Sequence, residues 1–96
     1  MKDFPDNYFV PRFPLGRLLI TPGARNAFSE EEILLAISRH QRGDWGIVCE
    51  EDFQRNEKAL KAGEWLRSAY LYHGVKLWII TKGDRSATTL LLANEY

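Results

Sequence analysis

The chain has 96 residues, of which 45% are hydrophobic and 27% charged, the balance of one folded domain rather than of a disordered polymer. Thirteen basic residues cancel thirteen acidic ones, so no overall field draws in nucleic acid or an anionic membrane, although local basic patches are compatible with that neutrality. A lone cysteine, Cys49, excludes an internal disulfide, no Cys–His spacing fits a metal site, and no apolar run nears the roughly 20 residues of a membrane-spanning helix. The N-terminus lacks the apolar core of a signal peptide. The expectation is a soluble cytoplasmic protein with no cofactor, no metal and no membrane partner.

Residues 1–16 set four aromatics (Phe4, Tyr8, Phe9, Phe13) among three prolines (Pro5, Pro11, Pro14). Proline fixes φ and drives the preceding residue to extended geometry, so this reads as an extended arm ahead of a single domain over 17–96. Its rings must lie on the body of the domain or on another chain, and a homodimer through this arm is one of the two readings.

Arg17–Thr21 is a short strand closed by Pro22–Gly23, with a brief helical turn at 24–27. A helix is predicted over about 30–42: Ser29 and Glu32 have capping-box spacing, and Phe28 and Ile33 are placed for a hydrophobic staple. Glu30, Glu31 and Glu32 suit the positive end of the dipole, Arg39, His40 and Arg42 its negative end, and Ile33, Leu34 and Ile37 form the apolar stripe. Asp44–Trp45–Gly46 is a compact connector in which Trp45 fills the gap between two helices. A second helix over about 50–62 carries Phe53, Glu57 and Leu60 on one face, opens on three acids and ends at Gly63, with Cys49 where a Ser or Asp cap is usual. From Glu64 the period becomes extended. Strands over 64–72 and 75–81 flank a His73–Gly74 hairpin tip, and 87–92 is a third strand.

The fold class that follows is α+β. It is a single domain with an antiparallel sheet of about four strands, order β-α-α-β-β-β, and two helices on one face. Val75, Leu77 and Ile79 alternate with Lys76, Trp78 and Ile80, so both faces of that strand carry apolar residues, and the Pro-rich arm is the candidate cover for the second face.

Lys82, Asp84, Arg85, Ser86, Thr88 and Thr89 form the densest run of hydrogen-bonding side chains, set between two apolar strands. Two readings apply. Asp and Ser bond nearby backbone in turns, Arg pairs with an acid and Thr suits strands; alternatively the run is a polar edge that meets a phosphate backbone or a protein partner. No phosphate loop fits, because the run lacks P-loop spacing and joins two strands. No nucleophilic triad can be written. His40 is a helix-end residue or a general acid–base, and His73 a turn residue or its counterpart.

Several phrases carry a resemblance: FPLGRLLITPGA (13–24), RHQRGDWG (39–46), the spaced Asp52, Asn56, Ala59, Leu60 and Gly63, LRSAY (66–70) and LWIITKGDRSATTLLL (77–92). Together they resemble a small family of bacterial proteins encoded largely on plasmids, phages and other mobile elements. Its members are often labelled plasmid-related proteins or type I restriction endonuclease subunit M. The resemblance spans about residues 13–96 and departs at Lys82, Cys49 and Ala93–Asn94. It implies a mobile-element setting and assigns no activity. A methyltransferase subunit is excluded by size, since no room exists for a cofactor-binding sheet domain.

Two functions follow as expectations. One is a non-enzymatic accessory protein that binds a partner protein or complex through Lys82–Thr89 and modulates host defence, as anti-restriction or anti-CRISPR proteins do. The other is an RNase-like domain acting on RNA, because the element order is similar to RelE-type and barnase-like toxins. There His40 or His73 would move the proton, and Lys76 and Arg85 would bind phosphate.

Overall fold

The computed structural model describes residues 11–96. The part of the expected arm that carries Phe4, Tyr8 and Phe9 lies outside them. Strand β1 (Arg17–Ile20) leads into helices α1 (Pro22–Ala27), α2 (Glu30–Gln41) and α3 (Glu50–Ala62), then strands β2 (Leu66–Tyr72), β3 (Val75–Thr81) and β4 (Ala87–Leu92), and a closing 3-10 turn, Ala93–Glu95. No helix among the described residues is long and apolar enough to cross a membrane.

The α+β class and the hairpin meander are as expected. The Tyr72↔Val75 pair closes on His73 (φ 56°) and Gly74 (φ 75°), two left-handed residues that match the twist of the flanking strands. The capping box of α2 is complete, with Ser29 Oγ accepting from the Glu32 amide at 3.1 Å and Glu32 Oε1 from the Ser29 amide at 2.9 Å. Cys49 precedes α3 and makes no capping hydrogen bond.

Three expectations need correction. The sheet is mixed, with order β1-β4-β3-β2 and β1 parallel to β4. The open edge of β2 is already occupied, because Trp45–Ile47 bridges Ala69 and the Asn56 side chain bonds both backbone groups of Arg67. That leaves β4 to receive β1. Direction is set at both ends: Thr88 Oγ1 donates to the Leu15 carbonyl at one, and Thr21 Oγ1 to Glu95 at the other.

The buried stripes also differ from those read by hydrophobicity. On α2 the inward positions are Ile33, Ala36, Ile37 and His40, and Leu34 is exposed. On α3 they are Asn56 and Ala59, and Phe53 is exposed. Finally, the Phe13 end of the arm packs on the helical side of the sheet, beside Trp45 and Leu66, and not on the second face.

Strand register sorts the sheet residues. Leu66, Ser68 and Tyr70 face the helices with Leu77, Ile79 and Thr81 and with Thr88 and Leu90. Arg67, Trp78, Ile80, Thr89, Leu91, Arg17 and Leu19 take the opposite face by the same alternation. Trp45 plugs the helical side as expected; its indole N–H donates to Glu57 Oε2 at 2.9 Å, and Arg12 clamps the same carboxylate with two bonds.

Candidate functional site

His40 is fully buried (0% exposed), boxed edge-on by Phe13 and Trp45. Its two nitrogens join a run of hydroxyls drawn from three strands: Ser68 Oγ lies 2.5 Å from Nδ1, Thr81 Oγ1 2.8 Å from Nε2, and Thr88 Oγ1 2.7 Å from Thr81 Oγ1. The proton positions follow from the far end. Thr88 donates to the Leu15 carbonyl at 2.8 Å, so Thr81 must donate to Thr88 and accept from His40 Nε2–H. Nδ1 then accepts from Ser68, and every member is satisfied with a neutral imidazole. Burial, assisted by the charge on Arg85, pushes the His40 pKa down to about 3. This histidine holds three strands and a helix together and meets no solvent.

His73 sits at the hairpin tip and pairs with Glu32, near the start of the helix whose last turn holds His40. The eight residues from Glu32 to His40 span about 12 Å. Lys76 lies on the opposite face of the sheet, its Nζ 5.5 Å from the centroid of Trp78. Arg85, in the turn between β3 and β4, reaches the C-terminal end of α3. Its Nη1 donates to Glu64 O (2.7 Å) and Lys82 O (3.1 Å), its Nη2 to Ala59 O (2.9 Å), and its guanidinium stands 5.8 Å from the Phe13 ring centroid. Desolvation lowers its pKa, with Asp84 opposing. The quartet His40, His73, Lys76 and Arg85 therefore shares no cleft, and it brings no acid–base pair to a common substrate position.

The Lys82–Thr89 run divides in the same way. Asp84 Oδ1 accepts the Ser86 amide at 3.0 Å, and the Ser86 hydroxyl and amide hold its carboxyl below the usual range. Arg85 takes the left-handed conformation (φ 61°) that turns the chain. Gly83 lets α3 approach, because a Cβ there would lie 2.6 Å from the Gly63 carbonyl. Thr88 is buried in the histidine run. Only Lys82 and Thr89 open onto the second face of the sheet, where they line a depression of about 410 Å³ with Arg17, Leu19, Trp65, Ile80, Leu91 and Tyr96.

That second face is where the chain's uncommitted chemistry collects. Trp65 is 60% and Tyr96 70% exposed. They also flank a second groove, about 220 Å³, which runs past Arg67 and Asn56 to Asp52 and Arg55 on α3. Arg67 lies 5.0 Å over the Trp78 ring and 3.7 Å from Asp52. The Trp78 indole nitrogen is buried with no hydrogen-bond partner among the described residues. The strand residues of this face include the cations Arg17, Arg67 and Lys76 and no carboxylate, while Glu30–Glu32 and Glu50–Asp52 crowd the starts of α2 and α3. A chain of zero net charge thus carries a basic, aromatic sheet face. Both depressions lie open at the surface, and the second, at about 220 Å³, is below the roughly 300–1,000 Å³ of a small-molecule pocket, so the shape suits a macromolecular surface. Among the described residues no three His, Cys, Asp or Glu side chains gather to hold a metal ion.

Comparisons with protein-family models, with curated proteins and with solved structures found no match to this chain.

Sequence reasoning missed Trp65, Arg67 and Tyr96 as site residues. Strand parity was the available signal: Trp65 and Arg67 share the alternation that puts Trp78 and Ile80 outward.

Proposed function

We propose that this protein is a small non-enzymatic binding module that docks a partner protein through the second face of its sheet. In keeping with the family resemblance of 13–24, 39–46 and 77–92, we place it among accessory proteins of mobile elements that act on a host defence complex. The observation that carries the binding reading is the separation of chemistry on the two faces. His40, Ser68, Thr81 and Thr88 on the helical side are consumed by internal bonds, whereas Trp65 and Tyr96 stand exposed above Ile80 and Leu91 with Lys82 and Arg67 beside them. Aromatics with a cationic rim are the usual composition of an interface centre, and the rim selects an acidic partner surface. The RNase-like alternative loses its motivating residues, since His40 is sealed and Lys76 and Arg85 lie apart.

The test is a pull-down with the full chain from cells carrying restriction or CRISPR complexes, run beside Trp65→Ala and Lys82→Glu. Both variants are expected to keep the wild-type melting temperature and to lose the partner, roughly 10-fold or more for Trp65→Ala, since a central aromatic anchor is worth about 2 kcal/mol. Equal recovery by the folded variants overturns the assignment of this face. An RNA ladder incubated with the protein across several pH values is expected to stay intact, and cleavage would revive catalysis.

A further inference from the structure

The two edges of the sheet are treated differently. The β2 edge is closed twice: Asn56 Nδ2 donates to Arg67 O at 2.8 Å and Asn56 Oδ1 accepts from Arg67 N at 3.1 Å, while Ile47 N donates to Ala69 O at 2.7 Å and Ala69 N to Trp45 O at 3.1 Å. The β1 edge has no such cover among the described residues, because β1 ends the strand order. Arg17 N bonds Ser86 O and Thr21 N bonds Leu90 O, so the odd positions face β4 and the N–H and C=O groups of Leu18 and Ile20 point out of the sheet. No proline interrupts Arg17–Ile20, and Leu18 and Leu19 are 40% and 39% exposed. An unprotected apolar edge is a template for another strand.

We propose that this edge pairs with β1 of a second copy of the chain, antiparallel, about a two-fold axis at Leu19. The register follows from the hydrogen-bond parity. Centring on Leu19 matches Leu18 with Ile20 of the second copy, and the reverse, so the outward groups of both residues bond at once. Side chains then agree on both faces. Leu19 meets its own copy on the basic face, and Leu18 meets Ile20 on the helical face, where both belong.

Charge agrees as well. Arg17, which no carboxylate of the described chain engages, falls opposite Thr21 of the second copy, and that Thr21 holds the exposed carboxylate of Glu95 at 2.6 Å. The pairing therefore makes two symmetric Arg17–Glu95 contacts and opposes no like charges. A four-residue ladder alone is smaller than the roughly 800 Å² per partner of a standard interface. Below the edge, however, Leu18 and Ile20 form one wall of a groove of about 250 Å³ whose floor is apolar, with Leu34 and Ile37 of α2, and whose rim carries Arg25 and Glu30. This groove extends the apolar surface beyond the strands. An unrelated strand would meet the same backbone groups but gains neither the Leu19 self-pair nor the Glu95 contact.

Sedimentation equilibrium of the full chain over a wide concentration range tests this. The mass is expected to rise from 11.1 kDa to twice that value. Leu19→Lys sets two ammonium groups face to face in place of two leucines, and the dimer is expected to weaken by roughly 100-fold or more. Geometry is read separately by cross-linking in a Cys49→Ser background. Leu19→Cys places two Cα atoms about 4.5 Å apart, within disulfide range, and a linked dimer is expected on mild oxidation. Leu18→Cys, whose opposite number is Ile20, is expected to stay largely unlinked. A chain that remains monomeric throughout with Leu19→Cys unlinked, or a dimer indifferent to Leu19→Lys, overturns the proposal.

Discussion

Arg85 is the residue on which a binding role and a structural role diverge most sharply, and its backbone supplies an unusual test. Arg85→Ala removes the bonds to Ala59 O, Glu64 O and Lys82 O together with the stacking on Phe13. Bonds from a charged donor are worth about 1.5–3 kcal/mol each when their loss leaves a dry acceptor. Here Ala59 O keeps the Gly63 and Glu64 amides at 3.0 and 3.2 Å, and the exposed Glu64 readmits water to its own carbonyl. The net loss is therefore about 2 kcal/mol, or roughly 10 °C in melting temperature for a domain of this size. Arg85→Gly loses the same bonds but relieves the left-handed φ of 61°. That relief, about 1–2 kcal/mol for a residue with a Cβ, exceeds the 0.5–1 kcal/mol or so that glycine costs through the unfolded chain. Arg85→Gly should thus be more stable than Arg85→Ala, by roughly 0.5–1 kcal/mol. Urea unfolding followed by far-UV circular dichroism reads both. A wild-type midpoint for Arg85→Ala, or the ordinary order with glycine below alanine, refutes the capping role.

The remaining predictions concern the buried groups. With its folded pKa near 3 against an ordinary value of 6.5, His40 binds more protons unfolded than folded between those values, so its contribution is complete above about pH 6.5 and drains as pH falls toward 3. The urea midpoint should fall between pH 6.5 and 5, above the carboxylate range, and that slope should vanish in a His40→Gln chain; an unchanged slope refutes the sealed histidine. Asn56→Ala exposes both backbone groups of Arg67 and should cost about 2 kcal/mol in the same urea assay while raising light scattering, since it reopens a sheet edge. Gly46→Ala would set a Cβ 2.0 Å from the Ala69 carbonyl at a φ of 80°. It should leave little folded protein by circular dichroism, and a cooperative transition within 1 kcal/mol or so of wild type would contradict the close approach.

What the sequence disclosed follows the range of the interactions involved. The Ser29–Glu32 box, the left-handed His73–Gly74 turn and the Gly63 cap close within a few residues, and all three form as the local chemistry dictates. The direction of β1 is decided by contacts across more than 70 positions, Leu15 with Thr88 and Thr21 with Glu95, which no local period encodes. The buried faces were partly legible. His40 follows Ile33 at seven residues and Ile37 at three, so the period itself turns it inward, and Ser68, Thr81 and Thr88 each share strand parity with Leu66, Ile79 and Leu90. A search by hydrophobicity passes over such positions, because here the inward residues are polar and satisfy one another. Asn56 escapes for the same reason, since its role is to finish a β-ladder with a side-chain amide.

The two surfaces left unspent by this internal economy, the basic face and the β1 edge, are coupled by geometry. Strand pairing at Leu19 would continue one sheet into the next, so Trp65, Lys82 and Tyr96 of both copies would lie on one eight-stranded face. Binding to a partner with repeated acidic sites would then gain from effective concentration without new contacts. The variants separate these effects. Lys82→Glu alters the face and leaves the β1 register untouched, so it should abolish partner binding in a chain that still dimerises. Leu18→Lys, on the helical side of the same edge and outside the basic face, should do the reverse, leaving each chain competent while removing the avidity, so that binding to a surface densely coated with partner weakens far more than binding to the same partner free in solution. Equal losses in the two formats would mean that the face works one chain at a time, whatever the strand edge does.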